Sequence, residues 1–369
     1  MTSRERLIAA MRLQDVDRTP IHVRGVNAWD DAWIESRHES YASIIEAVKE
    51  HGDYFVPWGV GGAPFYTASE EIRYESEVIE GDDWNERVAT VHTPKGPMTA
   101  RYLSSNRGLP GMQMEYFVKD LDDVQKFLSV PYVPLTPDVG GFFERTDALG
   151  DEGVVTCDFC NPITPTHDLM GSELLGIWSR QERDTIRLLV NTIAERLRDQ
   201  VRALLDADVG PVFRTLGHEY CIPPLMSPAD FEEFCIRVEA PIHEMIHEAG
   251  SLVHVHSHGP MDDVLEGFVA LGADCLHPIE PPPMGDVELA DANRRIGHRV
   301  CLEGNLQIGD VYAAPTAEVA RLTREAIKAA GPTGFILCPT ASPHTAVLTD
   351  QTVRNYLAMI ATAVECSGG

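Results

Sequence analysis

Three things are scarce in this chain of 369 residues, and each scarcity closes off a class of function. No apolar run approaches the ~18 residues that span a bilayer, so no membrane-crossing segment is expected. Basic residues are few, with 30 Lys and Arg against 57 Asp and Glu, for a formal charge of −27. So acidic a balance repels phosphate backbones and anionic lipid, which argues against nucleic acid or membrane as partner. Cysteine is also thin: 8 in a chain this long do not build a disulfide framework, and reduced thiols in a cytoplasmic setting are expected. The opening Met1-Thr2-Ser3-Arg4-Glu5-Arg6 leads into an amphipathic helix, not into a signal peptide. What is present is 44% hydrophobic and 24% charged, with ample length for a large core. That composition leaves an enzyme or a binding protein acting on a small molecule.

Short β-branched runs alternate with helical patterns along the chain. The runs that read as strands are Pro20–Arg24, Tyr54–Pro57, Val154–Asp158, Val209–Leu216, Leu252–His258, Cys275–Glu280, Arg299–Glu303 and Phe335–Cys338. Helical spacing marks Ile186–Leu205, Pro228–Ala249, Met261–Leu271 and Thr316–Ala330. Ser227-Pro228-Ala229-Asp230 is a helix start, and Gly250 and Gly331 sit where helix ends want φ > 0. The alternation predicts a parallel sheet, and its count predicts a single (β/α)8 barrel of the TIM type. An open doubly wound sheet is the alternative, but no glycine-rich dinucleotide fingerprint follows an early strand. Residues 60–150 break the pattern. Glu70–Glu80 and Arg87–Tyr102 alternate polar and apolar about turns at Gly81-Asp82-Asp83 and Pro94-Lys95-Gly96-Pro97, which predicts an antiparallel insertion after the second strand. A proline-rich tether from Pro131 to Pro137 leads back to the barrel.

Half of the 14 histidines fall between His218 and His277, three of them in His254-Val255-His256-Ser257-His258. Side chains two apart on a strand share a face, so the three imidazoles point one way and Val253 and Val255 the other. A barrel interior is normally filled by Val, Ile and Leu, so inward histidines need a polar reason. Gly259-Pro260 ends the strand and puts His256 and His258 at its C-terminal rim, as candidate metal ligands or catalytic groups. The alternative is that they bond carbonyls or carboxylates at the mouth. Glu280, ending the next strand, either completes a zinc site or caps a loop. Cys338 near the end of the last strand adds a thiol, although a buried Cys also serves as a small hydrophobe. Asp158 and Glu219 are candidate pocket carboxylates, Glu219 for acid–base work. Arg24 is a candidate for gripping an anionic group, or a structural ion pair. Cys157-Asp158-Phe159-Cys160 is a lone Cys-x-x-Cys and reads as two packed thiols.

These residues resemble the uroporphyrinogen decarboxylase family. The likeness is carried by Thr2-Ser3-Arg4-Glu5-Arg6-Leu7 through Asp17-Arg18-Thr19-Pro20, by Leu225-Met226-Ser227-Pro228-Ala229-Asp230-Phe231, and by His256-Ser257-His258-Gly259 through Pro278-Ile279-Glu280-Pro281. Gly304-Asn305 and Phe335-Ile336-Leu337 extend it over nearly the whole chain, with residues 60–150 the least alignable part. The resemblance implies a (β/α)8 barrel and makes a homodimer an expectation. The decarboxylase branch carries an Arg-Gln-Ala-Gly-Arg-type segment after its first strand, whereas Arg24-Gly25-Val26-Asn27-Ala28-Trp29-Asp30 stands here and keeps one arginine. The other branch comprises zinc-dependent methyltransferases that move methyl groups between corrinoid proteins and thiols. Their His-x-Cys motif matches His256 and His258, with His in place of Cys; Glu280 stands where some members have Glu. The branch's last-strand Cys would align nearer Ala341, so Cys338 would serve from a shifted position. The resemblance thus implies zinc on His256, His258, Glu280 and Cys338, in a sulfur-poor site whose ion is a stronger Lewis acid.

The leading expectation is a metal-dependent methyltransferase or demethylase. Its corrinoid would be carried by a separate protein, and its acceptor would be a thiol or another small molecule, with Glu219 and Asp158 shaping the mouth. The alternative is a cofactor-free decarboxylase in which Arg24 grips a carboxylate and the His cluster protonates the product carbanion. A non-catalytic ligand-binding barrel is the third reading.

Overall fold

The structure, a computed structural model, describes residues 1–60, 72–107, 109–134 and 136–367. In chain order the first strands are β1 (Tyr54–Trp58), β2 (Arg73–Ile79), β3 (Trp84–Thr93), β4 (Gly96–Ser105) and β5 (Met112–Glu115). There follow β6 (Gly153–Cys160), β7 (Val212–Leu216), β8 (Leu252–His256), β9 (Cys275–His277), β10 (Cys301–Leu306) and β11 (Phe335–Pro339). The residues group into two compact units. One comprises Met1–Gly59, Asp138–Phe159 and Leu205–Gly369, the other Val60–Pro137 and Cys160–Leu204.

The first unit is built on a seven-stranded parallel sheet in the order β1-β6-β7-β8-β9-β10-β11. Phe55, Val154, Val212, Leu252, Cys275, Cys301 and Ile336, one residue near the start of each strand, meet Leu7, Ala10 and Met11 of the helix Ser3–Met11 in one buried cluster. A flat sheet could not bring all seven strands to one helix, so the sheet is curled about it. The helix starts there because Thr2 and Glu5 form a capping box, and its apolar residues plug the N-terminal end of the sheet. Ser227 and Asp230 form a second capping box, at the helix start that the sequence announces, with Pro228 opening the helix. The expected helix Pro228–Ala249 is continuous but changes pitch, running as a π-helical turn over Glu232–Ile236 before Arg237–Glu248.

Seven strands stand in the sheet where the sequence suggests eight. Pro20–Arg24 makes one parallel bridge, Ile21 to Leu337 of β11. Its backbone also bonds the other side, Asp53 N donating to Ile21 O at 2.8 Å. It does not run on as a strand because the chain turns at once. Arg24 N bonds back to His22 O and Val26 N to Val23 O, and Gly25 takes φ +78°. A Cβ on Gly25 would lie 2.4 Å from the Cβ of Ser342. Two other strands end earlier than the sequence suggests. β8 stops at His256 and β9 at His277, so His258 and Glu280 stand on the loops just beyond.

The second unit carries the antiparallel sheet, in the order β2-β3-β4-β5, with β2 pairing β3 from Arg73↔His92 to Ile79↔Glu86. Its tight turns fall where the Gly81 and Pro94 clusters predict them. Positions 61–71, 108 and 135 lie outside the described residues, and with them the start of the Glu70–Glu80 run and part of the proline-rich tether. In this unit the helix Arg183–Asp206 buries Ile186, Leu189, Val190, Ile193, Leu197, Val201 and Leu204 at three- and four-residue spacing. Arg196 lies over the rings of Phe127 and Tyr132. No helix among the described residues is long and apolar enough to cross a membrane.

One carboxylate fastens the N-terminal segment to the sheet. Asp53, fully buried beside β1, accepts from Ser3 Oγ and Arg6 Nη1 at 2.6 Å, from Arg18 Nη1 at 2.8 Å and from Ile21 N at 2.9 Å. Arg6 turns its other nitrogens on Asp17, at 2.7 and 2.9 Å. Removing Asp53 leaves two arginines facing each other without their shared counter-charge. Asp53→Ala is therefore expected to lose about 3–5 kcal/mol of unfolding free energy, read from urea denaturation. A loss below about 1 kcal/mol would show that the anchor is dispensable.

Candidate functional site

Above the apolar plug the interior of the curled sheet turns polar. His254 and His256 lie two apart on β8 and are both buried. In the sheet register His254 stands beside Cys275 and His256 beside His277. The His256 and His277 rings stack with centroids 4.9 Å apart, and their Nδ1 atoms are 2.8 Å apart, so one of the two carries the shared proton. Burial pushes both imidazoles to titrate below their ordinary range, which keeps them neutral.

His258 is the more open of the rim histidines, and its Nδ1 lies 3.2 Å from Glu280 Oε1. Its ring meets that of His256 edge-on at 4.7 Å. Glu280 Oε2 accepts from Gly259 N at 2.8 Å, which ties the two post-strand loops together. Burial would push the Glu280 carboxyl up, but His258 and the Gly259 N–H outweigh it and hold it below the ordinary carboxylate range. His258 thus touches both His256 and Glu280 at the C-terminal edge of the sheet. Cys338 stands apart from them, its Sγ 3.4 Å from His277 Nε2 on the far side of that imidazole.

Deeper inside, Glu303 of β10 is the hub. His22 Nδ1 lies 2.5 Å from its Oε1 and His254 Nε2 2.5 Å from its Oε2. Burial alone would push this carboxyl up; the imidazoles of His277, His22 and His254 reverse that and hold it well below the ordinary range. Cys338 Sγ is 3.9 Å from His22 Nδ1, and burial, reinforced by Glu303, pushes its thiol well up. Among the described residues, the donor atoms of His22, Glu303 and Cys338 lie within 4.8 Å of one another, as do those of His254, Cys275 and Glu303. Of these, His22 and Glu303 carry no signal in the sequence. Neither belongs to a local motif, and 281 residues separate them.

The remaining candidates gather around this interior. Asp158 on β6 pairs with the Arg214 guanidinium on β7 and accepts from Thr156 Oγ1 at 2.7 Å. Burial, and next the charge of Arg214, push Arg24 down, while Cys338, Glu303 and Asp158 pull the other way. Glu219 follows β7 in the short turn His218–Cys221, and its Oε2 is buried without a hydrogen-bond partner among the described residues. Cys157 is buried and Cys160 half-buried, and neither is in a disulfide.

A second buried carboxylate lies outside this cluster. Glu239 receives Thr215 Oγ1 at 2.6 Å and His218 Nε2 at 2.8 Å, with His243 Nε2 at 3.2 Å. It joins the end of β7 to the helix Arg237–Glu248 and so fixes the turn that carries Glu219.

Comparison with known proteins follows this geometry. The family model described as uroporphyrinogen decarboxylase (URO-D) matches residues 115–365. No curated protein matches the chain. Among solved structures, a methyltransferase from Methanosarcina mazei is similar in fold, with a TM-score of 0.63 at 17% identity, covering 99% of each chain.

Burial would raise the Glu239 carboxyl, but His218 and His243 outweigh it and hold it below the ordinary range. A depressed folded-state pKa contributes stability that is complete above the unfolded value of about 4.3 and is lost as pH falls below it. Glu239→Gln is expected to cost about 2–3 kcal/mol at pH 7. In urea titrations run from pH 7 down to pH 3, the gap to the parent should narrow as pH falls below about 4.3. A constant gap would mean that the carboxylate's charge is not what stabilises.

Proposed function

The chain belongs to the uroporphyrinogen decarboxylase family, and on that premise we propose that it is a metal-dependent methyltransferase or demethylase. It would move a methyl group between a separate corrinoid protein and a thiol or another small acceptor. The observation that carries this reading is the contact of His258 with Glu280 beside His256, at the sheet edge where enzymes of this architecture keep their sites. A fold shared with a methyltransferase is consistent with it. The same reading takes Pro20–Arg24, bonded to β11 and to Asp53, as the eighth position of a closed (β/α)8 barrel, with residues 60–150 inserted after its second strand.

At the rim a zinc-type ion would draw on His256, His258 and Glu280. With the His277 Nε2–H directed to Pro339 O, 3.4 Å away, His277 Nδ1 accepts from His256 Nδ1–H. That tautomer leaves the His256 Nε2 lone pair for the ion, the pattern in which a ligating imidazole donates its other N–H. His258 and Glu280 add a second nitrogen and an oxygen, while Cys338, beyond the His277 imidazole, lies outside this set. When bound, zinc supplies a Lewis acid that lowers the pKa of a thiol acceptor. Glu219 Oε2, buried and unpaired, takes the acceptor's proton. Arg24 orients an anionic group of the small molecule, and the Asp158–Arg214 pair fixes the wall beside it.

The test is methyl exchange between metal-replete protein, methylcob(III)alamin and a panel of thiols. Transfer is expected, and His258→Ala should slow it by at least the ~10–100-fold that losing a supporting partner costs a metal site. Metal-replete protein that transfers no methyl group, yet releases carbon dioxide from a carboxylated substrate, would sink this reading in favour of decarboxylation.

A further inference from the structure

The rim residues account for only part of the polar interior. Behind them lies a set of three unlike donors on three different segments: an imidazole on the N-terminal segment, a carboxylate on β10 and a thiol on β11. His22 is 6% exposed, Glu303 1% and Cys338 0%, so water does not solvate them. They are brought together by the backbone. Ile21 bridges Leu337, which places His22 and Cys338 side by side, and in the register of β10 with β11 Cys338 stands opposite Asn305, two residues beyond Glu303.

We propose that His22 Nδ1, Glu303 Oε1 and Cys338 Sγ ligate a divalent ion of the zinc class, at an inner site distinct from the rim set. Nitrogen, oxygen and sulfur donors in one group suit such an ion and not the all-oxygen preference of magnesium or calcium. Bonds of ~2.0–2.3 Å in tetrahedral array need donor separations of about 3–4 Å. The 3.9 Å between Cys338 Sγ and His22 Nδ1 already meets this. The 2.5 Å between His22 and Glu303 opens by about 1 Å when an ion takes the place of the shared proton. The buried Glu303 carboxylate, met by the imidazoles of His22 and His254, places a negative charge that a cation there would offset. The other convergent group is the weaker candidate because Cys275 belongs to the apolar plug at the opposite end of the strands. Held this way, the ion would clamp the N-terminal segment to the last two strands. This site does not depend on the methyltransferase reading.

The experiment uses the full chain expressed with zinc, its metal content measured by mass spectrometry beside Cys338→Ser, His22→Gln and His258→Ala. The parent is expected to hold one ion more than Cys338→Ser or His22→Gln, and His258→Ala one ion more than His258→Ala combined with Cys338→Ser. Cobalt-substituted parent is expected to show a thiolate-to-metal charge-transfer band in the near ultraviolet, absent from Cys338→Ser. The parent spectrum needs no variant to fold. Parent cobalt protein without that band, or Cys338→Ser with the parent's full metal content, overturns the inner site. Metal lost only in His258→Ala also overturns it and leaves the methyltransferase reading standing. The Cys338-dependent ion present without methyl transfer upholds the inner site while the proposed activity fails.

Discussion

A carboxylate with almost no contact with water governs the interior of this protein. Glu303 must be paired wherever it is buried, since an isolated charge there would cost several kcal/mol. Its two oxygens are met by His22 and His254, which come from the N-terminal segment and from β8. The pairing fixes where those segments stand. It also sets the orientation of β8, because His256 follows His254 on the same face. The contact of His256 with His277, and of His258 with Glu280, follows from that alignment.

The curled sheet is divided along its length. At the N-terminal end of the strands every inward position that meets the first helix is apolar or a thiol. Two residues further along β7 to β10, a guanidinium (Arg214), two imidazoles (His254, His277) and a carboxylate (Glu303) take over. The division gives the two ends different tasks. The plug supplies stability through burial of apolar area, while the polar end relies on hydrogen-bonded geometry that any single substitution disturbs. Asp53 links the two, holding Arg6 of the plug helix and Ile21, next to His22, with one side chain.

Much of this was legible in the sequence. β-branched runs between amphipathic helices located all seven strands of the parallel sheet, and the turn residues at Gly81 and Pro94 located two turns of the antiparallel sheet. His256, His258 and Glu280 were visible because they cluster locally against a background of Val and Leu. Pro20–Arg24 read as a full strand because its composition is that of one; the turn after His22 depends on Gly25 fitting against Ser342, a contact no local pattern encodes. The inner cluster was invisible for a related reason. His22, Glu303 and Cys338 are ordinary residues on separate segments, and only the sheet register makes them neighbours. Cys338 was noticed as a rim residue, whereas its side chain faces His277 and His22.

The bridge from Ile21 to Leu337 joins the beginning of the chain to its last strand, and the contact between His22 and Cys338 spans 316 residues. During synthesis His22 emerges 316 residues before Cys338, so the segment that carries it must wait for its partner. Until β11 leaves the ribosome, the flank of β1 that the segment covers has no complete neighbour, and His22 has neither Glu303 nor Cys338. Loop closure of this length is paid late, so the polar interior is the last part of the molecule to assemble. The nascent chain therefore carries open strand edges through most of its translation, the stage at which such chains draw most on chaperones.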